Sequence, residues 1–404
     1  MARLPDGERP PADGALPPTA LHGLGAADRP FGVYVHVPYC AARCGYCDYN
    51  TYIGTEASQD GFGAAVRAEL ALARGVLGDA TPPAQTVFVG GGTPTLLAPD
   101  ELARILDAIR EHVGIAPGAE VTTEANPESV DPVALAALRE AGFTRISLGM
   151  QSAAPHVLET LDRHHTPGRA VAAAREARAA GFEHVSLDLI YGTPGERAED
   201  WRVSLETALE AEPDHVSAYS LIVEPGTKLA ARVRRGELPA PDDDVLADRY
   251  ETTETVLGAA GLRWYEVANW ARTDADRCRH NLGYWAGGDW WGIGPGAHSH
   301  IGGVRWWNVL HPSRWMALLA EGSSPAAGRE EPDADATRLE HVMLGVRLKE
   351  GLALEGLNGH ARGVAAQLAA DGLLQDDPLT RDGRAVLTLR GRLLADRVTL
   401  ALAG

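Results

Sequence analysis

The chain has 404 residues, 45% of them apolar, which is enough for two or three domains with cores of their own. Its 55 acidic residues against 37 basic ones leave a formal net charge of -18, which argues against a nucleic-acid-binding surface, because phosphate recognition relies on clustered Lys and Arg. No apolar run reaches the roughly 18 residues of a membrane-spanning helix, and no basic start followed by an apolar segment marks a secretory signal; the expectation is a cytoplasmic protein, with peripheral contact to a membrane left open.

Residues 1–30 are rich in Pro, Gly and Ala without apolar periodicity, which predicts a disordered or loosely docked leader. From there short β-branched runs at 33–37, 86–89, 120–124, 145–148, 184–189 and 215–221 read as strands. Amphipathic stretches near 60–78, 100–113, 131–141, 169–180 and 199–211 lie between them, with start signals such as Pro99-Asp100-Glu101 and Asp131-Pro132. This alternation predicts an α/β fold with a parallel sheet. Six units are two short of a closed eight-fold barrel, so residues 31–240 should form a partial, TIM-like (β/α)6 barrel with its site at the strand C-terminal ends. Residues 241–322 form a Trp-rich extension holding eight of the nine tryptophans. Residues 323–404 comprise a linker and a small C-terminal helical, winged-helix-like domain, whose acidic balance favours packing over DNA binding.

Three of the four cysteines, Cys40, Cys44 and Cys47, form a C-x3-C-x2-C triad directly after the first strand. Three thiolates on one short loop can hold three irons of a 4Fe-4S cluster and leave the fourth iron open to a non-protein ligand. The amino and carboxylate groups of S-adenosylmethionine (SAM) suit that open corner. Structural zinc usually takes a second ligand pair, which is missing downstream, and a disulfide needs an oxidising compartment.

In Val33-Tyr-Val-His-Val37 the valines alternate with Tyr34 and His36, which places Tyr34 where it can contact a cofactor or merely cap the barrel interior, and His36 behind the cluster. The strand at 86–89 runs into Gly90-Gly91-Gly92-Thr93, backbone that a ligand can approach closely; without the Walker Lys-Ser/Thr it is no nucleotide P-loop. Glu124, Gln151 and Asp188 sit at strand ends, suited to ribose hydroxyls or a sulfonium charge, or to helix capping. Segments 278–285 and 292–300 gather His, Gly and aromatic residues. They fit a porphyrin site with an axial His such as His280, and equally a satisfied aromatic core.

Together the motifs Tyr34-Val-His-Val-Pro-x-Cys, Gly90-Gly-Gly-Thr-Pro-Thr, Glu124-Ala-Asn-Pro, Gly149-Met-Gln-Ser, Asp188-Leu-Ile-Tyr-Gly-Thr-Pro, His280-Asn-x-x-Tyr-Trp and Gly294-Pro-Gly-Ala-His-Ser carry a resemblance. The chain resembles radical SAM proteins of the oxygen-independent coproporphyrinogen III oxidase family, and within it the HemW-type heme chaperones. The resemblance runs from about Phe31 to the C-terminus. It implies that Cys40, Cys44 and Cys47 hold the cluster and that Tyr34, Tyr46, Gly91 and Glu124 hold a SAM. A second SAM position in the oxidases maps to Gly92, Thr93, Gln151, Arg163 and Asp188.

One departure separates the branches. The decarboxylating oxidases carry a further cysteine, C-x3-C-x2-C-x-C, where this chain has Tyr49 and the chaperone type usually has Phe. The signature at 280–285 also belongs to the chaperone branch. The resemblance therefore implies a protein that binds heme and passes it to an acceptor hemoprotein. The alternative is an oxidase in which a SAM-derived radical abstracts hydrogen from a porphyrinogen propionate; a radical enzyme acting on another substrate is the third reading.

Overall fold

Six βα units emerge in the computed structural model, which describes residues 6–26, 29–54, 59–79, 81–163, 165–355, 357 and 359–404. The strands are β1 (Phe31–Val37), β2 (Ala84–Gly91), β3 (Ile115–Ala125), β4 (Arg145–Gln151), β5 (His184–Tyr191) and β6 (His215–Ser220), each parallel to the next. The helices after the first five are α1 (Phe62–Leu77), α2 (Pro99–His112), α3 (Pro132–Ala141), α4 (Arg169–Ala179) and α5 (Ala198–Leu209), and α6 (Asp243–Ala259) follows β6 after a longer connection. The start signals act as expected. Asp131 Oδ1 accepts the Ala134 N–H at 2.8 Å ahead of Pro132, and Pro99 opens α2 with Asp100 and Glu101 in its first turn.

Period-two alternation sends Val33, Val35, Val87, Val89, Ile146, Leu148, Leu187 and Leu189 to the helix side, where they meet Leu70, Leu102, Ile105, Leu106 and Leu135 in one core. Each such side chain fully removed from water stabilises the fold by about 1.5–3 kcal/mol. The intervening residues face inward in register: Tyr34 beside Phe88, Phe88 beside Thr122, and Thr122 beside Arg145. Nearer the strand C-terminal ends, Glu124 pairs with Ser147 and Asp188 with Ser217. These rows line the lumen.

The Trp-rich segment extends this sheet on both edges. β7 (Arg263–Glu266) and β8 (Asn269–Ala271) add antiparallel beyond β6, while β9 (Asp289–Ile293) runs parallel to β1 and carries β10 (His298–Ile301) and β11 (Val304–Asn308); β12 (Ala326–Glu330), in the stretch expected to be a linker, instead pairs with β11 at the edge. Among the described residues the result is a twelve-stranded sheet in the order β12-β11-β10-β9-β1-β2-β3-β4-β5-β6-β8-β7. To pass from one edge to the other, residues 272–288, including α7 (Arg279–Trp285), cross beneath the strand N-termini and close the lumen's floor. There Glu120 accepts the backbone N–H groups of Arg279 at 3.1 Å and His280 at 3.0 Å, and Arg145 donates to the Asp276 carbonyl at 2.9 Å. Of the eight tryptophans in this stretch Trp264, Trp270, Trp291, Trp306, Trp307 and Trp315 are buried, so they serve mainly as core.

The expected leader lies partly outside the described residues, at 1–5 and 27–28. Its described part is docked rather than loose. Glu8 exchanges backbone hydrogen bonds with Arg329 at the sheet edge, Ala12 accepts from Ser324 at 2.7 Å, and Ala20 is buried. The C-terminal part has its own core of Val342, Val346, Leu368, Leu373, Val398 and Leu402, with a ribbon of only two residues per strand. No helix among the described residues is long and apolar enough to cross a membrane.

Candidate functional site

The cysteine loop leaves β1 through a short parallel pairing of Tyr39–Cys40 with Tyr52–Ile53. Asn50 pins its far end, donating from Nδ2 to the carbonyls of Pro295 at 2.9 Å and Leu310 at 2.8 Å. His36 lies behind the loop: burial pushes its pKa down, opposed by the Asn50 carbonyl, to which Nε2 donates at 2.9 Å, while Nδ1 accepts the Tyr34 hydroxyl at 3.0 Å. Cys40, Cys44 and Cys47 line one cavity, and among the described residues no other Cys or His lines it to complete a four-ligand zinc site, so the donor set fits a cluster held at three corners.

Two of the three thiols have a side-chain neighbour that suits a thiolate or a cofactor. Thr93 Oγ1 is 3.9 Å from Cys40 Sγ, and Arg163 Nη1 is 3.5 Å from Cys44 Sγ, with Arg163 Nη2 donating to the Gly149 carbonyl at 3.1 Å. Burial pushes the Cys47 thiol up to about 11 and raises that of Cys40, so binding iron has to displace protons. Beside the loop, Gly91 (φ 112°) donates its N–H to Glu124 Oε2 at 2.9 Å. Burial pushes Glu124 up to about 7, opposed by that N–H and reinforced by Asp188. Asp188 is likewise raised by burial while Ser147 Oγ donates to it at 2.8 Å. Such carboxylates become better acceptors when a cationic ligand enters.

Cys40, Cys44, Cys47, Tyr46, Gly91, Gly92, Thr93, Glu124, Gln151, Arg163 and Asp188 line one cavity of about 440 Å³. Tyr34 and His280 do not reach it; they line the adjoining lumen of about 550 Å³, which shares Tyr46, Gly91, Glu124, Gln151 and Asp188. Gln151 takes a left-handed φ of 66° at a bulge, backbone strain that directs its side chain toward the site. His280 is already engaged at both nitrogens, with Thr86 Oγ1 at 2.8 Å and Tyr284 Oη at 2.8 Å, and burial pushes it down to about 3. An iron bond from this ring requires breaking one of those contacts.

The sequence reading missed Arg145, Thr122, Ser186 and His215, which line the lumen below Glu124 and Asp188. The signal was present in β4: a period-two count backward from Gln151 through Gly149 and Ser147 reaches Arg145.

A Cβ on Gly92 would overlap the Tyr39 carbonyl oxygen and meet Cys40 Sγ at 3.0 Å. That oxygen accepts the Thr93 N–H at 2.7 Å, so little slack exists. Gly92→Ala should destabilise the fold by about 1–3 kcal/mol and lower iron occupancy after reconstitution; thermal melting and iron assay check both.

The radical SAM superfamily profile matches residues 34–208. Over 391 residues the chain is 57% identical to the heme chaperone HemW of Mycobacterium tuberculosis, covering 96% of this chain and 98% of that protein. Against the heme chaperone HemW of Bacillus subtilis it is 33% identical over 380 residues, covering 92% and 98% respectively. The solved coproporphyrinogen III oxidase HemN of Escherichia coli, a radical SAM enzyme, superposes with a TM-score of 0.80 over 97% of this chain and 94% of that one, at 22% identity. That likeness speaks for the fold.

Proposed function

The chain belongs to the HemW family and carries a radical SAM domain over residues 34–208, and from that premise we propose that it is a heme chaperone, which binds heme and hands it to an acceptor hemoprotein in the cytoplasm. The domain brings a 4Fe-4S cluster and SAM. When bound, the cluster supplies an open iron for the amino and carboxylate groups of SAM. The chain's own part is to hold and orient: Cys40, Cys44 and Cys47 are the three ligands, Arg163 stands by Cys44, and Glu124 and Asp188 offer acceptors across the cavity.

The observation that carries the reading is Tyr49. It lines the lumen's mouth and is 61% exposed, at the position where the oxidase pattern has its further cysteine. Tyr219 and Ile222, also exposed, complete an apolar rim there. A flat apolar ring that must enter and leave suits such a rim better than a sealed reaction chamber does.

The test is to titrate the anaerobically reconstituted protein with hemin, follow the Soret band, and then add an apo-hemoprotein. The expected result is stoichiometric binding followed by transfer. Repeated turnover of coproporphyrinogen III with loss of carboxyl groups, without stoichiometric heme uptake, would replace this reading with the oxidase.

A further inference from the structure

The lumen's floor holds a buried cation that does not line the cysteine cavity. Arg145, at the start of β4, is 1% exposed and lines the lumen. Its Nη1 donates to the Asp276 carbonyl at 2.9 Å, whereas its Nη2 has no partner among the described residues. Beside it in register on β3 stands Thr122, fully buried, whose Oγ1 is also without a partner and lines the same cavity. Buried donors are normally paired. Two orphans on neighbouring strands, both at one cavity, make a donor pair shaped for a ligand.

The charges point the same way. Glu120 lies 3.7 Å from Arg145 Nη1, but its two oxygens already accept the N–H groups of Arg279 and His280 and the Cys278 thiol at 3.6 Å. Its charge is thus shared with the floor segment. Of the two imidazoles that line this lumen among the described residues, His280 is engaged at both nitrogens by Thr86 and Tyr284, and His215 is likewise pushed down by burial, with Nδ1 on Ser186 at 2.8 Å and Nε2 on Tyr265 Oη at 2.7 Å. Glu124 and Asp188 stand nearer the mouth, in register with Ser147 and Ser217. Between floor and mouth the wall is aromatic: Phe88 stacks on His280 with centroids 5.1 Å apart, flanked by Tyr34 and Tyr284.

We propose that Arg145 Nη2 and Thr122 Oγ1 form a carboxylate subsite that receives a propionate of the porphyrin occupying the lumen. This rests on the heme-binding reading above, since heme is a flat apolar ring with two carboxylates on one edge. The guanidinium donates to one carboxylate oxygen and the threonine hydroxyl to the other, a charge-assisted pair in a low-dielectric floor. SAM also carries a carboxylate, and the test separates the two sources.

Hemin and hemin dimethyl ester, which lacks the charges, are titrated into full-length wild type, Thr122→Val and Arg145→Met, with SAM binding measured in parallel. Wild type should bind hemin about tenfold or more tightly than the ester. Thr122→Val should weaken hemin several-fold, and Arg145→Met about tenfold to a hundredfold, down to the level of the ester, with SAM affinity unchanged. Arg145→Met is interpreted only if its circular dichroism matches wild type; the near-isosteric Thr122→Val decides otherwise. Equal wild-type affinity for hemin and ester, or a Thr122→Val that binds hemin as wild type does, overturns the subsite while leaving the chaperone reading intact. Loss of SAM affinity without loss of hemin affinity assigns the pair to SAM and also overturns it. Failure of wild type to bind hemin removes both.

Discussion

Cys40→Ala is expected to abolish the cluster: iron and acid-labile sulfide after anaerobic reconstitution should fall to background, and SAM should no longer bind. The reason is geometric. Cys40 is fixed by the pairing of Tyr39–Cys40 with Tyr52–Ile53 and lies against Gly92 and Thr93, so no other thiol can take its place. Cys278, the remaining cysteine, is buried at the lumen's floor with its Sγ 3.6 Å from Glu120. Two thiolates leave the cluster with two iron corners unligated by protein, and it is lost to solvent. The fold should survive, because the three cysteines are only partly buried and stand outside the main core; far-UV circular dichroism should match wild type. Full iron and sulfide in Cys40→Ala, or one zinc per chain without sulfide in wild type, would overturn the cluster assignment.

The same framework explains how a barrel built for radical chemistry can serve delivery. The fold fixes the cysteine loop at one end of the parallel strands and closes the other end with residues 272–288. The rim is where a ligand can pass. An exposed aromatic ring at Tyr49 and the apolar neighbours Tyr219 and Ile222 give a large planar ligand a path in and out. Below them, acids raised by burial and a buried guanidinium place opposite polar demands at the two ends of one lumen.

Much of this was legible in the sequence because two kinds of signal agreed. Valines alternate at 33, 35 and 37 in β1 and at 87 and 89 in β2, and caps such as Asp131-Pro132 mark helix starts, so six strands and five helices could be placed to within a few residues. Glycines and cysteines carried the upper cavity, because their chemistry is local. The sheet's extension was not legible. β7 to β12 are three to five residues long, so periodicity has too few cycles to register, and pairing β9 with β1 joins residues far apart in the chain. His280 read equally as an axial heme ligand and as part of an aromatic core, and what decides its two hydrogen bonds is Thr86 and Tyr284 meeting beneath the barrel. The docking of the leader likewise rests on Arg329 and Ser324 at the far edge, partners no local pattern discloses.

Glu69→Ala should be the most destabilising single change to this architecture, by about 4 kcal/mol, read as a drop in melting midpoint. Glu69, on α1, is 2% exposed and accepts the Gly294 N–H at 2.8 Å, Asn308 Nδ2 at 2.6 Å and Trp315 Nε1 at 2.8 Å. Removing the carboxylate strands three buried donors, each worth about 1–3 kcal/mol when unsatisfied, and opens a cavity. The damage should reach the cluster, since the Gly294-Pro295 turn is what Asn50 grips from the end of the cysteine loop; iron in the variant should be lost faster to a chelator. The carboxylate also gives a pH signature. Burial pushes Glu69 up to about 7 from 4.5, despite the three donors that hold it down. The folded state therefore binds the proton more tightly than the unfolded chain does. The resulting stabilisation is full below about pH 4.5 and is lost as pH rises through about 7, a swing of about 3 kcal/mol. Glu124, Glu196 and Glu266 are pushed to about 7 as well and slope the same way, whereas His36, His215, His280 and His298, pushed down by burial from 6.5, slope the opposite way until the unfolded chain has lost those protons too; the wild-type melting midpoint should therefore fall from about pH 6.5 to 8, where the acids act unopposed. Glu69→Gln, which cannot titrate, should fall less steeply over that window. An Ala variant that melts with wild type, or a Gln variant with an unchanged pH slope, would show that the Gly294 turn is held by something other than this buried carboxylate.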